Sequence, residues 1–236
     1  MQAVLAHESS PIRVDDLAAQ LDTLVNSGLL IDKGEPPDTC YFFKHALVRD
    51  AAYQSLWERD RKSLHRCIAT VVGEKFQHLA ENQPELLAYH YAEAGMDTEA
   101  VAYWERAARH AASRSAHAEA ISHLGCGLAL IAHLPAAAGR DRAELRLQLL
   151  LAGQLIATEG YGADQVGRAY IRASELCHAV GDQGALTKIQ LGLEGYYFMR
   201  ADFEQAHAIA EQAAAMMTGS TDPMRRLQSS WAVANI

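Results

Sequence analysis

The sequence lacks the features that define several large classes of protein. Its four cysteines are widely spaced and form no CxxC pair, which favours small buried thiols over a disulfide framework or a zinc site. No window approaches the roughly 18 uninterrupted apolar residues of a membrane-spanning helix. The N-terminus has no basic stretch followed by an apolar one, so no signal peptide is predicted. These absences predict a soluble, cytoplasmic protein with no membrane partner.

The chain also lacks the short motifs that mark common enzymes. GxxxxGK[ST], GxGxxG, HExxH and GxSxG do not occur. His123 and Cys126 share a helix face at i and i+3, but two ligands without a third favour ordinary buried or surface side chains over a metal site. We therefore predict no catalytic residue, no bound metal and no cofactor in this chain.

Hydrophobic residues make up half of the sequence and charged residues 21%, which predicts a folded chain with a real core. Alanine is abundant and β-branched residues are sparse, so a mainly α fold is expected. We predict two regions. Residues 1–80 form a winged-helix-like segment with linking helices, and residues 81–236 form a helical repeat array.

Residues 1–80 contain the only predicted strands. Leucines recur at helical spacing in residues 14–27, and Gly28 suits the left-handed turn that ends a helix. Residues 29–33 and 39–43 predict two strands, joined by turn-forming residues 34–38. A helix followed by a β-hairpin is the closing half of a winged helix.

The charges of this segment argue against a DNA-binding wing. The helix before the hairpin would be the recognition helix, and it carries Asp15, Asp16 and Asp22 but no lysine or arginine between residues 14 and 28. Residues 1–80 hold 9 basic and 11 acidic side chains, and the chain has a net charge of −8. Because phosphate binding needs clustered positive charge, a packing or regulatory module is favoured. A DNA-binding transcriptional regulator is the alternative, and no nucleic-acid partner is expected.

Two amphipathic helices follow, over residues 46–56 and 60–76, and each has an apolar face to bury. Arg59, Arg61 and Arg66 form a basic cluster where the second helix begins. A solvated face partnered by neighbouring carboxylates is favoured for them over a phosphate or partner site.

From residue 84 onward the helices are predicted to pair as hairpins with small residues at the crossings. The residues that match the tetratricopeptide pattern are Leu87, Ala88, Tyr91, Gly95, Ala100, Trp104 and Ala107. A similar pattern recurs after Leu193, with Asp202 as the predicted N-cap of its second helix. Gly160, Gly181 and Gly219 are predicted to end helices, and Asp222-Pro223 is predicted as an N-cap followed by proline at the first helical position. Helix starts near residues 141, 183 and 223 imply units longer than a strict tetratricopeptide repeat.

Aromatic residues on these helices have two interpretations. Helical spacing favours core filling for most of them. Tyr89 and Tyr196 fall off the core stripe and are the better candidates for a partner or ligand groove. The last predicted helix, residues 224–236, has an apolar face without a partner, so the chain is expected to end inside the array and to be part of a longer protein.

Four stretches resemble a known arrangement: FKHALVRDAAYQSL, LHRCIA, GYGADQVGRAYIRASELC and LGLEGYYFMRADFEQAHAIAEQ. They are similar to the winged-helix and tetratricopeptide-like region of bacterial STAND/AAA-type signalling ATPases. Some of those proteins carry an adenylate or guanylate cyclase domain, and others a LuxR-type DNA-binding domain.

The resemblance implies a winged-helix cap followed by an α-helical solenoid. It also implies that ATP or ADP and Mg²⁺ belong to a parent ATPase domain, which is the expected partner together with a protein or small-molecule effector. By position His45 is the candidate nucleotide-sensing residue, and capping of the helix that begins at Ala46 is the structural alternative.

Overall fold

A computed structural model describes residues 17–34 and 39–217, and these residues are mainly helical with one small hairpin. The helices are α1 (Leu17–Asn26), α2 (Ala46–Ser55), α3 (Glu58–Lys75), α4 (Gln77–Asn82), α5 (Pro84–Glu93), α6 (Asp97–Ser113), α7 (His117–Ile131), α8 (Ala138–Glu159), α9 (Asp164–Val180), α10 (Gln183–Met199) and α11 (Phe203–Met217). The strands are β1 (Leu30–Lys33) and β2 (Cys40–Phe43). The mainly α prediction is confirmed.

The described residues form two compact units. Unit 1 holds residues 17–34, 39–81 and 89–96, and unit 2 holds residues 82–88 and 97–217.

The hairpin in unit 1 has the predicted form. β1 and β2 pair antiparallel, with Leu30 opposite Phe43 and Lys33 opposite Cys40. Each strand begins one residue later than predicted. Gly28 ends the preceding helix at a φ of 72°, a conformation that costs glycine little because it has no Cβ.

The apolar face predicted for α2 is not buried. No residue of α2 is buried, and Leu47 is 83% exposed. In α3 the apolar face is buried in part: the buried residues are His65, Cys67, Ala69, Val71 and Val72, whereas Leu64 and Ile68 are half-buried. Amphipathic periodicity predicts a face that needs a partner, but in the described residues Val48 is only half-buried and Leu47, Ala51 and Ala52 are exposed.

Helices α6 to α11 of unit 2 pack in sequence order. Consecutive helices are in contact from α6 to α11, and one core cluster contains Leu124 and Leu147 while another contains Leu176 and Ile189. Short connections and buried alanines allow neighbouring helices to approach closely.

The predicted ends of the helices in unit 2 are largely confirmed. Gly160 and Gly181 follow α8 and α9 with φ of 86° and 71°. Asp202 Oδ1 accepts a hydrogen bond from the backbone N–H of Gln205 at 3.3 Å, as expected of an N-cap. Gly219, the Asp222-Pro223 pair and the helix predicted over residues 224–236 lie outside the described residues.

Two reciprocal contacts join α9 to α10. A Cβ built on Gly192 would lie 2.2 Å from Cζ of Tyr170, and a Cβ on Gly167 would lie 2.3 Å from Cζ of Tyr196. Each tyrosine ring therefore occupies the space left by a glycine of the other helix. Only glycine permits this approach, since real Cβ contacts are well over 3 Å.

The cysteine prediction is half right. Cys67 and Cys177 are buried thiols, and burial raises the pKa of both. Cys40 and Cys126 are exposed, because the hairpin and the outer face of α7 leave these positions facing solvent.

Candidate functional site

His45 is the N-cap residue of α2 and is exposed. Its carbonyl accepts hydrogen bonds from the backbone N–H groups of Val48 and Arg49 at 3.1 and 3.3 Å. Its imidazole makes no capping bond, so the helix begins here without using this side chain. The ring is left available to a ligand, and the nucleotide-sensing role stays a prediction.

The three arginines of the basic cluster lie on α3 in separate surroundings. The Arg59 side chain is 94% exposed and its Nε lies 3.6 Å from Asp60. Arg61 lies over the ring of Tyr53, with 5.4 Å between Cζ and the ring centroid. Arg66 is exposed. The ion pair of Arg59 and the exposure of Arg59 and Arg66 match the solvated face that the sequence favours.

Tyr89 lies beside a hydrogen-bonded chain of side chains in unit 1. Its ring meets the rings of His65 and His90 edge-on, at centroid distances of 5.6 and 5.4 Å. His65 Nδ1 lies 2.8 Å from His90 Nδ1, and His65 Nε2 lies 3.0 Å from the hydroxyl of Tyr53. That hydroxyl lies 3.4 Å from Glu93 Oε2. We call these four hydrogen-bonded residues (Tyr53, His65, His90, Glu93) the histidine network.

One order of protons uses every contact of the histidine network. His90 Nδ1–H donates to His65 Nδ1, His65 Nε2–H donates to the Tyr53 oxygen, and the Tyr53 O–H donates to Glu93. A proton on both Nδ1 atoms would remove the bond between the two rings. The network therefore needs at least one neutral imidazole.

The surroundings keep both imidazoles neutral. Burial lowers the pKa of His65, and burial together with the neighbouring His65 lowers the pKa of His90 to about 4. His65 is buried, at 6% exposure. The network thus ties α2 and α3 to the part of α5 that belongs to unit 1.

Of the residues in this region, the sequence predicts only Tyr89 as a candidate site residue. His65 and His90 are 25 residues apart, and no local spacing relates them. The one available signal was the run of aromatic and polar residues around Tyr89 at a predicted helix crossing.

Tyr196 has a packing contact in unit 2. It is partly buried, lies over Gly167, and its outer side carries the Arg200 guanidinium at 5.4 Å from the ring centroid. Tyr196 belongs to unit 2 and Tyr89 to unit 1. Ligand contact by either residue stays a prediction.

Two further features of the described residues are the placement of possible metal ligands and the length and apolar character of the helices. Residues 17–34 and 39–217 contain no group of three histidine, cysteine, aspartate or glutamate side chains placed to hold a metal ion. His123 stacks on Trp104, with 5.3 Å between ring centroids. In the same ranges no helix has both the length and the apolar character needed to cross a bilayer.

Comparison with known proteins gives a similarity to a much longer bacterial protein. No protein-family model matches the chain. The chain is similar to an uncharacterized protein of Rhizobium meliloti, with 28% identity over 222 residues. The aligned part is 92% of this chain, and the chain spans 21% of the length of that protein.

Proposed function

We propose that this chain is the regulatory and interaction module of a multidomain bacterial signalling ATPase. Unit 1 is the degenerate winged-helix cap, and unit 2 is a tetratricopeptide-like solenoid that binds a protein or small effector. ATP or ADP and Mg²⁺ belong to the ATPase domain of the parent. The similarity to one fifth of a much longer bacterial protein supports a multidomain context.

The observation that carries this proposal is the exposed apolar surface of unit 1. Fifteen large hydrophobic residues of the described ranges are exposed, and ten of them lie in unit 1: Leu24, Leu29, Ile31, Phe42, Phe43, Leu47, Tyr53, Trp57, Phe76 and Tyr89. Unit 1 holds only about a third of the described residues. Apolar surface concentrated in this way marks an interaction site. We assign it to the ATPase domain.

Trp57 and Leu47 dominate this surface, at 82% and 83% exposure. Burying each side chain contributes about 2 kcal/mol to the free energy of association. A partner that covers both would therefore bind more tightly by about 4 kcal/mol before the costs of association. His45 begins the helix that carries Leu47. A bound ATPase domain would therefore meet the candidate nucleotide sensor and the apolar surface on one element.

The histidine network gives α2 a rigid attachment. Tyr53 on α2 is hydrogen-bonded to His65 on α3 and to Glu93 on α5. A docked ATPase domain that displaces α2 would move Tyr53, and α3 and α5 would have to shift with it to keep these two bonds. We assign this coupling role to the stretch from residue 43 to residue 56.

The test is Leu47→Asp in a full-length chain that contains this segment, with Ile171→Asp as the matched control. Ile171 is 43% exposed and lies on α9 in unit 2. We expect Leu47→Asp to change nucleotide retention and the rate of ATP hydrolysis, and Ile171→Asp to leave both unchanged. Equal effects of the two variants, or none from either, would contradict the proposal.

His45→Ala in the same full-length chain tests the sensing role separately. We expect faster loss of bound nucleotide with an unchanged melting temperature, because the His45 side chain makes no capping bond. Nucleotide retention equal to that of the unaltered chain would remove His45 from the proposal and leave the docking surface in place.

A further inference from the structure

A concave surface in unit 2 collects positive charge in an acidic protein. It is a groove of about 330 Å³ lined by Arg109, Arg146, Leu149, Leu150, Tyr170 and Lys188, and we call it the cationic groove. Its residues come from four helices, α6, α8, α9 and α10. A volume above about 300 Å³ is that of a small-molecule site.

Glu105 fixes the positions of two of the three cationic side chains, Arg109 and Arg146. Glu105 is largely buried, with a side chain 12% exposed, and its carboxylate accepts hydrogen bonds from Arg109 Nη2 at 2.9 Å and from Arg146 Nε at 3.0 Å. Arg146 Nη1 also donates to the carbonyl of Arg142 at 3.4 Å. Arg109 Nη1 and Arg146 Nη2 have no partner among the described residues. Each guanidinium thus keeps donors for a ligand.

The third cation is not neutralised. Lys188 is exposed and forms no ion pair with another described residue. With Glu105 offsetting one of the three charges, the cationic groove keeps an excess of two positive charges. An excess of this kind is unexpected on a chain with a net charge of −8, and it favours an anionic occupant.

The remaining lining sets the shape of that occupant. Leu149 and Leu150 offer apolar contact, and Tyr170 is held by its fit against Gly192. Its ring therefore forms a fixed wall rather than a mobile one. A site with a few charged donors and an apolar wall recognises a molecule that has both characters.

We propose that the cationic groove binds a small organic anion, in which a carboxylate or phosphate group meets Arg109, Arg146 and Lys188 and an apolar part lies against Leu149 and Leu150. This proposal rests on the proposed role of unit 2 as an effector-binding array and names the chemical class of the effector. Guanidinium groups bind both kinds of oxyanion through paired N–H donors.

Isothermal titration calorimetry of this chain at low ionic strength tests the proposal, with hexyl phosphate, hexanoate and hexanol as probes. The anionic probes should bind saturably and hexanol should not. The tighter of the two anions identifies a phosphate or a carboxylate as the natural group. Affinity should fall as salt is added, because the contact is electrostatic.

Lys188→Gln is the sharpest variant, since it breaks no ion pair within the described residues. It should weaken binding of the preferred anion about tenfold, as expected for loss of one charge-assisted hydrogen bond. Arg146→Gln should weaken it at least as much. Arg168→Gln removes the same charge from an exposed position on α9 outside the lining and should leave affinity unchanged.

Three results would overturn the proposal: no saturable binding at about 10 mM probe, hexanol binding as tightly as the anions, or equal weakening by Arg168→Gln and Lys188→Gln. None of them depends on an ATPase. If the anions bind as expected but Leu47→Asp has no effect on the full-length chain, the regulatory proposal fails and the groove stands. If Leu47→Asp acts but no anion binds, only the groove fails.

Discussion

Units 1 and 2 bury their apolar side chains to very different extents. Unit 2 encloses Leu124, Leu147 and Ile189 almost completely, and its alanines and glycines let neighbouring helices approach closely. Unit 1 leaves Leu47 and Trp57 in solvent, and its buried side chains include the polar His65. This difference in burial is the reason for proposing that another domain docks on unit 1 rather than on unit 2.

The largest expected effect separates the two units directly. Leu147→Ala removes a fully buried side chain from a core cluster of unit 2 and should lower the free energy of unfolding by about 3 kcal/mol. Leu47→Ala should change it by less than about 0.5 kcal/mol. Urea denaturation followed by circular dichroism measures both. Similar losses for the two variants would show that α2 is buried and would remove the contrast.

The reciprocal glycine and tyrosine contacts give the next effect. Gly192→Ala places a methyl group against the Tyr170 ring and should destabilise unit 2 by about 2 kcal/mol, since overpacking outweighs the gain in helix propensity. Gly153→Ala is the matched control, because no atom lies within 4 Å of its added Cβ. This change in α8 should instead stabilise by up to about 1 kcal/mol. A neutral Gly192→Ala would contradict the close fit.

A smaller effect belongs to unit 1 and depends on pH. The pKa of His90 is lowered to about 4 from an ordinary value of 6.5, so the unfolded chain binds a proton more readily than the folded one. Stability from this group is complete above pH 6.5 and is lost as the pH falls toward 4. Hydrogen-exchange protection factors should fall in α3 and α5 over this range, and those of α9 should change less.

Tyr53→Phe checks that the histidine network causes this behaviour. The variant removes the hydroxyl that bridges His65 and Glu93 and should cost about 1 kcal/mol at pH 7. Its protection factors in unit 1 should already be lowered at neutral pH. Equal protection in the variant and the unaltered chain would mean that the network does not hold unit 1 together.

The smallest effects compare one ion pair from each unit. Arg172 donates to the buried Glu144 at 2.6 and 3.1 Å, and Arg172→Gln should cost about 1 kcal/mol because the arginine side chain is itself 40% exposed. Lys62→Gln breaks the exposed contact with Glu58 and should cost less than about 0.5 kcal/mol. Thermal melts of both variants in low and high salt measure the difference. A larger loss from Lys62→Gln would reverse the comparison.

Local patterns in the sequence predict much of the fold. Gly28, Gly160 and Gly181 end helices where expected, and Asp202 caps one, because these features depend on a few neighbouring residues. The exposed face of α2 was not predictable in the same way. Hydrophobic periodicity predicts that Leu47 lies on an apolar helix face. It does not indicate whether the surface that packs against this face belongs to the same chain.

The candidate sites were less predictable because they depend on residues far apart in the sequence. The histidine network joins residues 53, 65, 90 and 93, and the cationic groove joins α6 to α10. Arg109, Arg146 and Lys188 each resemble an ordinary surface charge when considered alone. Their convergence follows from the order in which the helices pack, which no local spacing encodes.

The paired contacts of Tyr170 with Gly192 and of Tyr196 with Gly167 have a mechanical consequence. One ring points from α9 to α10 and the other from α10 to α9. Sliding of α9 along α10 would therefore displace both rings from the glycines that they contact. Shear between packed helices is a common way for a protein to change shape, and it is blocked at this hairpin. A change of shape in unit 2 is therefore expected to move α9 and α10 together, which would keep Tyr170 and Lys188 at a constant spacing.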